Sequence, residues 1–233
     1  MKVSLVIPCF NEGKNISALI KRCHSFKNNL KFEIIFVNNG STDETAEVLT
    51  NLIANYKNFK CVHVPKNLGY GHGIIEGLKA ATGYILCWTH ADLQTDPLDI
   101  MDAVKLFEQN GEDIFVKGLR RGRSFHDILF TIGMSLFESL LLKKTLRDIN
   151  AQPTMFSRPF FNSWESPPQD FSLDLYAYYQ AKIQKKDIYR IPVFFSPRLF
   201  GKSHWNLNWR EKFKFIKRTI RYSFKLKKQL KKL

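Results

Sequence analysis

The sequence predicts an α/β fold, a mostly parallel sheet flanked by helices, with a basic amphipathic helix at its C-terminal end. Three observations carry this. Short apolar, β-branched runs alternate with helical patterns through the first half of the chain, which is the signature of βαβ units. At 233 residues and 44% hydrophobic content the chain is long and apolar enough for a buried core. Of its 36 Lys and Arg, 13 fall in residues 198–233 beside the lone acid Glu211, so that segment holds +12 of a formal net charge of +15. The length fits one large domain with an appendage, divided here as 1–205 and a basic tail at 206–233. A disordered chain, a collagen-like fibre and a solenoid of fixed period are excluded by the same composition and by the lack of a repeat.

The elements follow in order. Residues 3–7 (VSLVI) form a first strand ending at Pro8, and Ile16, Leu19, Ile20 and Cys23 give 12–26 a helical pattern. Residues 32–37 (FEIIFV) form a second strand. Asn38-Asn39-Gly40-Ser41 is turn chemistry, and Ser41 to Glu44 opens a helix over 46–56. A third strand at 60–64 precedes the glycine-rich stretch Asn67–Gly73 and a helix running through Ala80; a fourth strand occupies 84–89. A helix near 97–109 and a strand at 113–117 lead to the basic loop Arg120-Arg121-Gly122-Arg123. The strongly apolar stretch 125–142 is interrupted by His126, Asp127 and Glu138. It reads as an amphipathic helix that packs in the core or rests on a bilayer, with the core favoured. A helix near 171–184 and a strand near 189–195 come before the tail. There Phe213, Ile216, Ile220 and Phe224 recur at helical spacing among Lys and Arg, a pattern that fits a membrane surface or packing on the domain.

Four cysteines without a C-x-x-C pair read as reduced thiols of the cytosol. The N-terminal apolar run is cut by Pro8, Asn11 and Glu12, too early for a signal peptide, and no run of about 18 purely apolar residues is seen. The expected location is therefore cytoplasmic, peripheral at the inner face of a membrane, with no spanning anchor.

Polar clusters close the first four strands: Pro8 to Glu12, Asn38 to Asp43, Lys66 to Gly73 and His90 to Gln94. Parallel strands bring such ends to one sheet edge. Glycines let backbone approach a ligand there and helix N-termini favour phosphates, so the edge is expected to hold a nucleotide. The glycine run lacks G-x-G-x-x-G and is no dinucleotide fingerprint.

Six stretches in order resemble the family 2 glycosyltransferases of the GT-A (Rossmann-like) fold. They are VIPCFNE at 6–12, VNNGSTDET at 37–45, NLGYGHGIIEGLKAATG at 67–83, HADLQTDP at 90–97, DINAQPTMFSR at 148–158 and SPRLFGKS at 196–203. Within the family the chain is similar to the polyprenyl-phosphate branch that includes the dolichol-phosphate mannose synthases. The resemblance implies a nucleotide-diphosphate sugar held by Pro8, Phe10, Asn11, Glu12, Asn38, Asn39, Ser41, Asn67, Gly71, Ala91, Asp92, Arg198 and Ser203. It implies Mg²⁺ or Mn²⁺ on the family's D-x-D element, whose first Asp is His90 here; Asp92 is expected as the main ligand with Gln94 beside it. His90 either joins the metal, since Mn²⁺ accepts imidazole, or hydrogen-bonds the diphosphate. Many relatives have Asp-Asp where this chain has Asn38-Asn39. An amide both donates and accepts, which complements uracil better than guanine and favours a UDP-sugar; the alternative is that both residues only shape the turn.

The acceptor implied by the branch is polyprenyl phosphate, already ionised and needing cations rather than a base. Arg120, Arg121 and Arg123 are its expected ligands, with attraction of the tail to an anionic membrane surface. Catalytic roles are expected for Asp92, Asp170 and Arg198. Asp170 would be the base if the acceptor is instead a hydroxyl of a lipid-linked or growing surface glycan; otherwise it caps the helix at 171–184. The expected reaction is inverting sugar transfer. The rivals are the hydroxyl-acceptor enzyme and a catalytically inactive nucleotide-sugar-binding protein, with nucleic-acid binding by the tail ranked last and not expected.

Overall fold

The two most apolar runs become strands without a polar face. In the computed structural model, β1 (Val3–Cys9) and β2 (Phe32–Asn39) lie side by side in parallel and are buried nearly end to end. The structure describes residues 1–27, 29, 31–198, 200 and 209–230, the side chains of 209–215 and 229–230 excepted. Further strands are β3 (Phe59–Val64), β4 (Ile85–Trp88), β5 (Ile114–Arg121), β6 (Thr154–Ser157) and β7 (Asp187–Phe194). The helices are α1 (Gly13–Cys23), α2 (Thr45–Ile53), α3 (Tyr70–Ala80), α4 (Ile100–Asn110), α5 (Phe125–Leu142), α6 (Arg158–Asn162), α7 (Leu173–Ile183) and α8 (Trp209–Leu230).

The strands form one seven-stranded sheet in the order β3-β2-β1-β4-β6-β5-β7. All neighbours are parallel except β6, which runs antiparallel to both β4 and β5. Neither β6 nor α6 was expected from the sequence. A four-residue strand in the middle of a sheet has no exposed face, so no alternation marks it. The strand after α4 also runs further than its apolar residues suggest: it continues to Arg121, so Arg120 and Arg121 are paired with Val193 and Phe194 of β7 rather than lying in a loop.

Side chains alternate across the strands. Leu5, Ile7, Ile34 and Phe36 face one core layer with Ile16, Leu19, Ile100 and Phe107 of α1 and α4. Val6, Ile35, Val37 and Trp88 face the other, with Ile74 and Leu78 of α3, Phe160 of α6 and much of α7. Leu142 at the end of α5 and Leu226 of α8 join this second layer.

The register sets the strand ends level. Cys9 pairs with Asn38, Asn39 with Val64 and Val6 with Trp88. The polar clusters that follow β1, β2, β3 and β4 are thereby brought to the same edge.

Helix α5 is turned inside out relative to a core helix. Ser135, Glu138 and Leu142 are buried, while Phe125, Leu136 and Leu140 are 60–74% exposed and Ile128, Leu129 and Ile132 are exposed as well. The inward polar residues find partners: Ser223 of α8 donates to Glu138 at 2.6 Å, and the Ser135 hydroxyl accepts from the Asp148 amide at 3.1 Å. By length and hydropathy α5 is also able to cross a membrane. On α8 the buried described residues are Ser223 and Leu226, Ile216 and Ile220 are half-buried, and Phe224 is half-exposed. Phe213 lies outside the described side chains.

Candidate active site

The strand ends surround a cavity of about 540 Å³. Its first half is built by the β1, β2, β3 and β4 loops. Pro8, Phe10, Glu12, Asn39, Asn67, Ala91, Asp92, Gln94 and Arg198 all line it. Asn39 is buried at the end of β2; its amide donates to the Gly69 carbonyl at 3.0 Å, and its Oδ1 has no partner. Gly73 lets α3 pass directly over that side chain, since a Cβ there would stand 2.8 Å from Asn39. Gly69 adopts φ +130° against the Gln169 carbonyl, a conformation and clearance open only to glycine.

Several expected donor residues support the loops instead of lining the cavity. The Asn38 side chain accepts from the Ser41 amide at 3.2 Å and approaches His63, which shapes the turn. Asn11, with φ +53°, donates its backbone amide to the Ser41 hydroxyl and accepts from the Thr42 amide on its side-chain oxygen. Gly71 packs on the carbonyls of Pro168 and Asp170. Arg121 is exposed outside the cavity, and Ser203 lies outside the described residues.

The metal motif is compact. Asp92, buried, takes the Gln94 amide on Oδ1 at 3.1 Å and pairs through Oδ2 with Arg198 at 2.7 Å. Arg198 also donates to Gln94 Oε1 at 3.2 Å, and Ser196 ties its loop to Gln94 through a backbone bond of 2.8 Å. Two oxygen donors, Asp92 and Gln94, thus converge on one cationic centre. That set fits a hard divalent cation that takes its remaining ligands from phosphate oxygens and water. Among the described residues no three His, Cys, Asp or Glu side chains gather into a metal site, so substrate oxygens would have to complete it. His90 stacks on Tyr70 at 5.5 Å. Burial lowers its pKa against the pull of Asp92, which keeps the ring neutral. Burial, reinforced by Asp92, raises Glu12, although Asn15 donates to it.

The second half of the cavity is lined by Arg120, Arg123, Asp127, Phe130, Thr131, Asn150, Asp170, Phe171 and Arg218. Arg120 forms a fork with Asp148 through Nε and Nη2. Arg123 donates to Thr131 at 2.7 Å. Asp170 accepts from the Ser172 amide at 2.9 Å in the turn before α7 and lines the cavity wall; the N-cap of α7 is Ser172, without a side-chain cap bond, so Asp170 does not cap the helix as the sequence suggested. Sequence reasoning missed a buried network behind the cavity wall that Gln152 and Asp174 help to form. Lys117, fully buried, donates to Thr154 and Ala151 at 2.8 and 2.9 Å and pairs with Asp174 at 3.3 Å. Asp174 in turn accepts from Gln152, whose amide also reaches the Tyr70 hydroxyl. Burial brings the Lys117 ammonium down to about 8, although Asp174 opposes this. Their signal was a lysine inside an otherwise apolar strand.

Residues 4–164 match the family model described as Glycosyl transferase family 2. The chain belongs to glycosyltransferase family 2. This family 2 chain is 29% identical over 212 residues to the dolichol-phosphate mannosyltransferase of Pyrococcus furiosus, covering 87% of this chain and 59% of that protein. It is 29% identical over 151 residues to the undecaprenyl-phosphate 4-deoxy-4-formamido-L-arabinose transferase of Photorhabdus laumondii, covering 64% of this chain and 46% of that protein. The chain thus spans about half the length of the curated relatives it matches. Among solved structures it is similar to glucosyl-3-phosphoglycerate synthase from Mycobacterium tuberculosis in complex with Mn²⁺, UDP and glucosyl-3-phosphoglycerate (TM-score 0.69, 18% identity, 86% of this chain and 73% of that one). It is also similar to a mannosyltransferase from Pyrobaculum calidifontis in complex with GDP-Man and Mn²⁺ (TM-score 0.65, 19% identity, 85% and 58%). The family 2 glycosyltransferase chain therefore has the GT-A fold.

Proposed function

We propose that this chain is an inverting glycosyltransferase that moves a sugar from a nucleotide-diphosphate sugar to a polyprenyl phosphate at a membrane surface. One observation carries the reading. A single cavity joins the Asp92–Gln94–Arg198 cluster to a second half walled by arginines and by α5, the helix with its apolar face outward. A polar, metal-type pocket continuous with a basic, apolar-flanked one suits a charged donor and a lipid-borne anion. The names of the relatives point the same way.

In this reading Asp92 and Gln94, with His90 beside them, would hold Mg²⁺ or Mn²⁺. The ion would supply positive charge to the departing diphosphate. Arg198 moves from Asp92 to the same diphosphate, where negative charge develops. Asn39 faces the base; its buried, unpaired Oδ1 and remaining amide hydrogen match the imide edge of uracil, which supports a UDP-sugar. The acceptor phosphate oxygen attacks the anomeric carbon from the side opposite the leaving diphosphate, held in line by the arginines. No base is needed, and Asp170 is engaged by the Ser172 amide and by Arg218 at 3.3 Å. The domain at 1–205 carries the donor site in this account, and the tail at 206–233 approaches anionic lipid.

The experiment is thermal stabilisation by UDP- and GDP-sugars with and without Mn²⁺, followed by assay for transfer to a short prenyl phosphate. A donor well above its Kd raises stability by a few kcal/mol, about 2.7 at one hundred times Kd. No stabilisation by any donor would overturn the reading, and binding without transfer or hydrolysis would favour an inactive binding protein. The place of Asp170 on the cavity wall supports a second reading, a glycan hydroxyl as acceptor. Loss of turnover in Asp170→Asn with donor binding intact would select it.

A further inference from the structure

We infer that Arg218, carried on the tail helix α8, is a ligand of the acceptor phosphate. This rests on the proposed polyprenyl-phosphate reading and adds to it a residue outside the motif-bearing part of the chain.

The arginine fixed by its place at the end of β5 is not enough. Arg120 is locked in a nearly buried fork with Asp148, which also accepts the Arg120 backbone amide. Burial works to raise the Asp148 carboxyl, but the hydrogen bonds and charge of Arg120 hold it below its ordinary value. The pair is therefore an ionised, mutually neutralised unit. Arg123 is better placed to give a whole charge: it is bonded to the neutral Thr131 hydroxyl, and its buried Nε has no partner. A phosphate monoester carries −1.5 to −2 near neutral pH, so a second cation is called for.

Arg218 lines the same cavity and supplies it. Its guanidinium lies 5.4 Å from the centre of the Phe171 ring, and its Nε stands 3.3 Å from Asp170 Oδ2. Phe171 stacks on Tyr70 at 4.6 Å, and Tyr70 stacks on His90 at 5.5 Å. A column of rings therefore runs from the metal motif to Arg218. The ion pair with Asp170 is partly solvent-exposed, so it is weak and easily exchanged for a dianion. Asp170 keeps its bond from the Ser172 amide when Arg218 turns to phosphate. The other acid on this side, Asp127, is engaged by the Ser124 hydroxyl at 2.7 Å.

The test is titration calorimetry of the full chain with geranyl phosphate and, in parallel, geraniol. The wild type is expected to prefer the phosphate. Arg218→Gln should weaken geranyl phosphate by roughly 10- to 100-fold, the scale of a lost charge-assisted hydrogen bond, while geraniol and UDP with Mn²⁺ change less than about twofold. Arg218→Lys, which keeps the charge without the fork, should fall between. Ser223→Ala loosens the α8–α5 seam without touching the phosphate and should preserve the phosphate-to-alcohol ratio. The inference is overturned if the wild type shows no preference, if Arg218→Gln keeps the ratio, or if Ser223→Ala erases it equally. Failure of every nucleotide sugar to bind, with the geranyl phosphate preference intact and lost in Arg218→Gln, would sink the donor reading and uphold this one.

Discussion

At the scale of single residues, charge and hydrogen-bond capacity decide what the site can hold. Asp92→Asn keeps the shape but removes the anionic oxygen, so stabilisation by a nucleotide sugar with Mn²⁺ should drop at least tenfold in apparent affinity; equal metal-dependent shifts in both proteins would refute the assigned ligand. Asn39→Asp replaces an amide by an acceptor-only carboxylate. Binding should move from UDP toward GDP by roughly tenfold, read from competitive titrations of the two nucleotides, and an unchanged ratio would leave Asn39 as a turn residue. Glu138 gives a pH prediction. Burial pushes its carboxyl up to about 7 despite the hydrogen bond from Ser223. Between its ordinary value of 4.5 and about 7 the folded state holds a proton the unfolded state has lost. Stability therefore falls as pH rises through that window, by at most about 3 kcal/mol, and stays reduced above it. Glu138→Gln should be near neutral at pH 5 and raise Tm by several degrees at pH 8; parallel melting curves at both pH values would contradict this. Asp92 and Glu12 were legible because strand-end polar residues stand out against apolar runs, and Arg198 only through the resemblance of the stretch 196–203 to the family. Lys117, Gln152 and Asp174 were not, since a network joining three separated stretches exists only after β5, β6 and α7 are packed together.

At the scale of elements, alternation of apolar strands and helical patterns was enough to place β1 to β4 and the edge they share. The second half of the sheet was less legible. Strand β6 is four residues long and buried on both sides, so it leaves no periodic trace, and its antiparallel direction is set by the neighbours it joins. Helix α5 shows a different limit. Its composition reads as a core helix, yet Ser135 and Glu138 point inward because Ser223 of α8 and the loop at Asp148 supply partners. Periodicity identifies two faces but cannot say which one the rest of the chain will meet. The outward row of Ile128, Ile132, Leu136 and Leu140 gives the element its own test. Leu136→Asp with Leu140→Asp removes two leucines that are 60% and 72% exposed. It should leave Tm within about a degree and donor binding unchanged, while co-sedimentation with lipid vesicles falls at least tenfold, given about 1.5–3 kcal/mol for each large apolar side chain buried in lipid. A loss of Tm with unchanged sedimentation would make this face part of the fold instead.

At the scale of the whole molecule, the most basic helix packs against the helix with the exposed apolar row. The 198–233 segment holds +12 of the net +15, and α8, which carries most of it, packs against α5. Exposed Lys217, Arg221, Lys225 and Lys228 on α8 accompany Arg121, Lys143 and Lys144 at the two ends of α5. Basic residues together with an exposed apolar helix face suit a surface that lies on anionic lipid. The cavity reaches both helices, for Asp127, Phe130 and Thr131 of α5 and Arg218 of α8 line it. A headgroup phosphate at the interface would then be level with the arginines, with its hydrocarbon left in the bilayer. Each basic residue near such a surface contributes about 1 kcal/mol, screened beyond roughly 8 Å at physiological salt. The chain should therefore bind vesicles containing a third phosphatidylglycerol far more tightly than pure phosphatidylcholine. Raising NaCl from 0.1 to 0.5 M should remove most of that difference, while the residue common to both lipids, supplied by α5, persists. Binding that is equal on the two vesicles, or that vanishes on both with salt, would separate the basic residues from the apolar face and leave the cavity facing water.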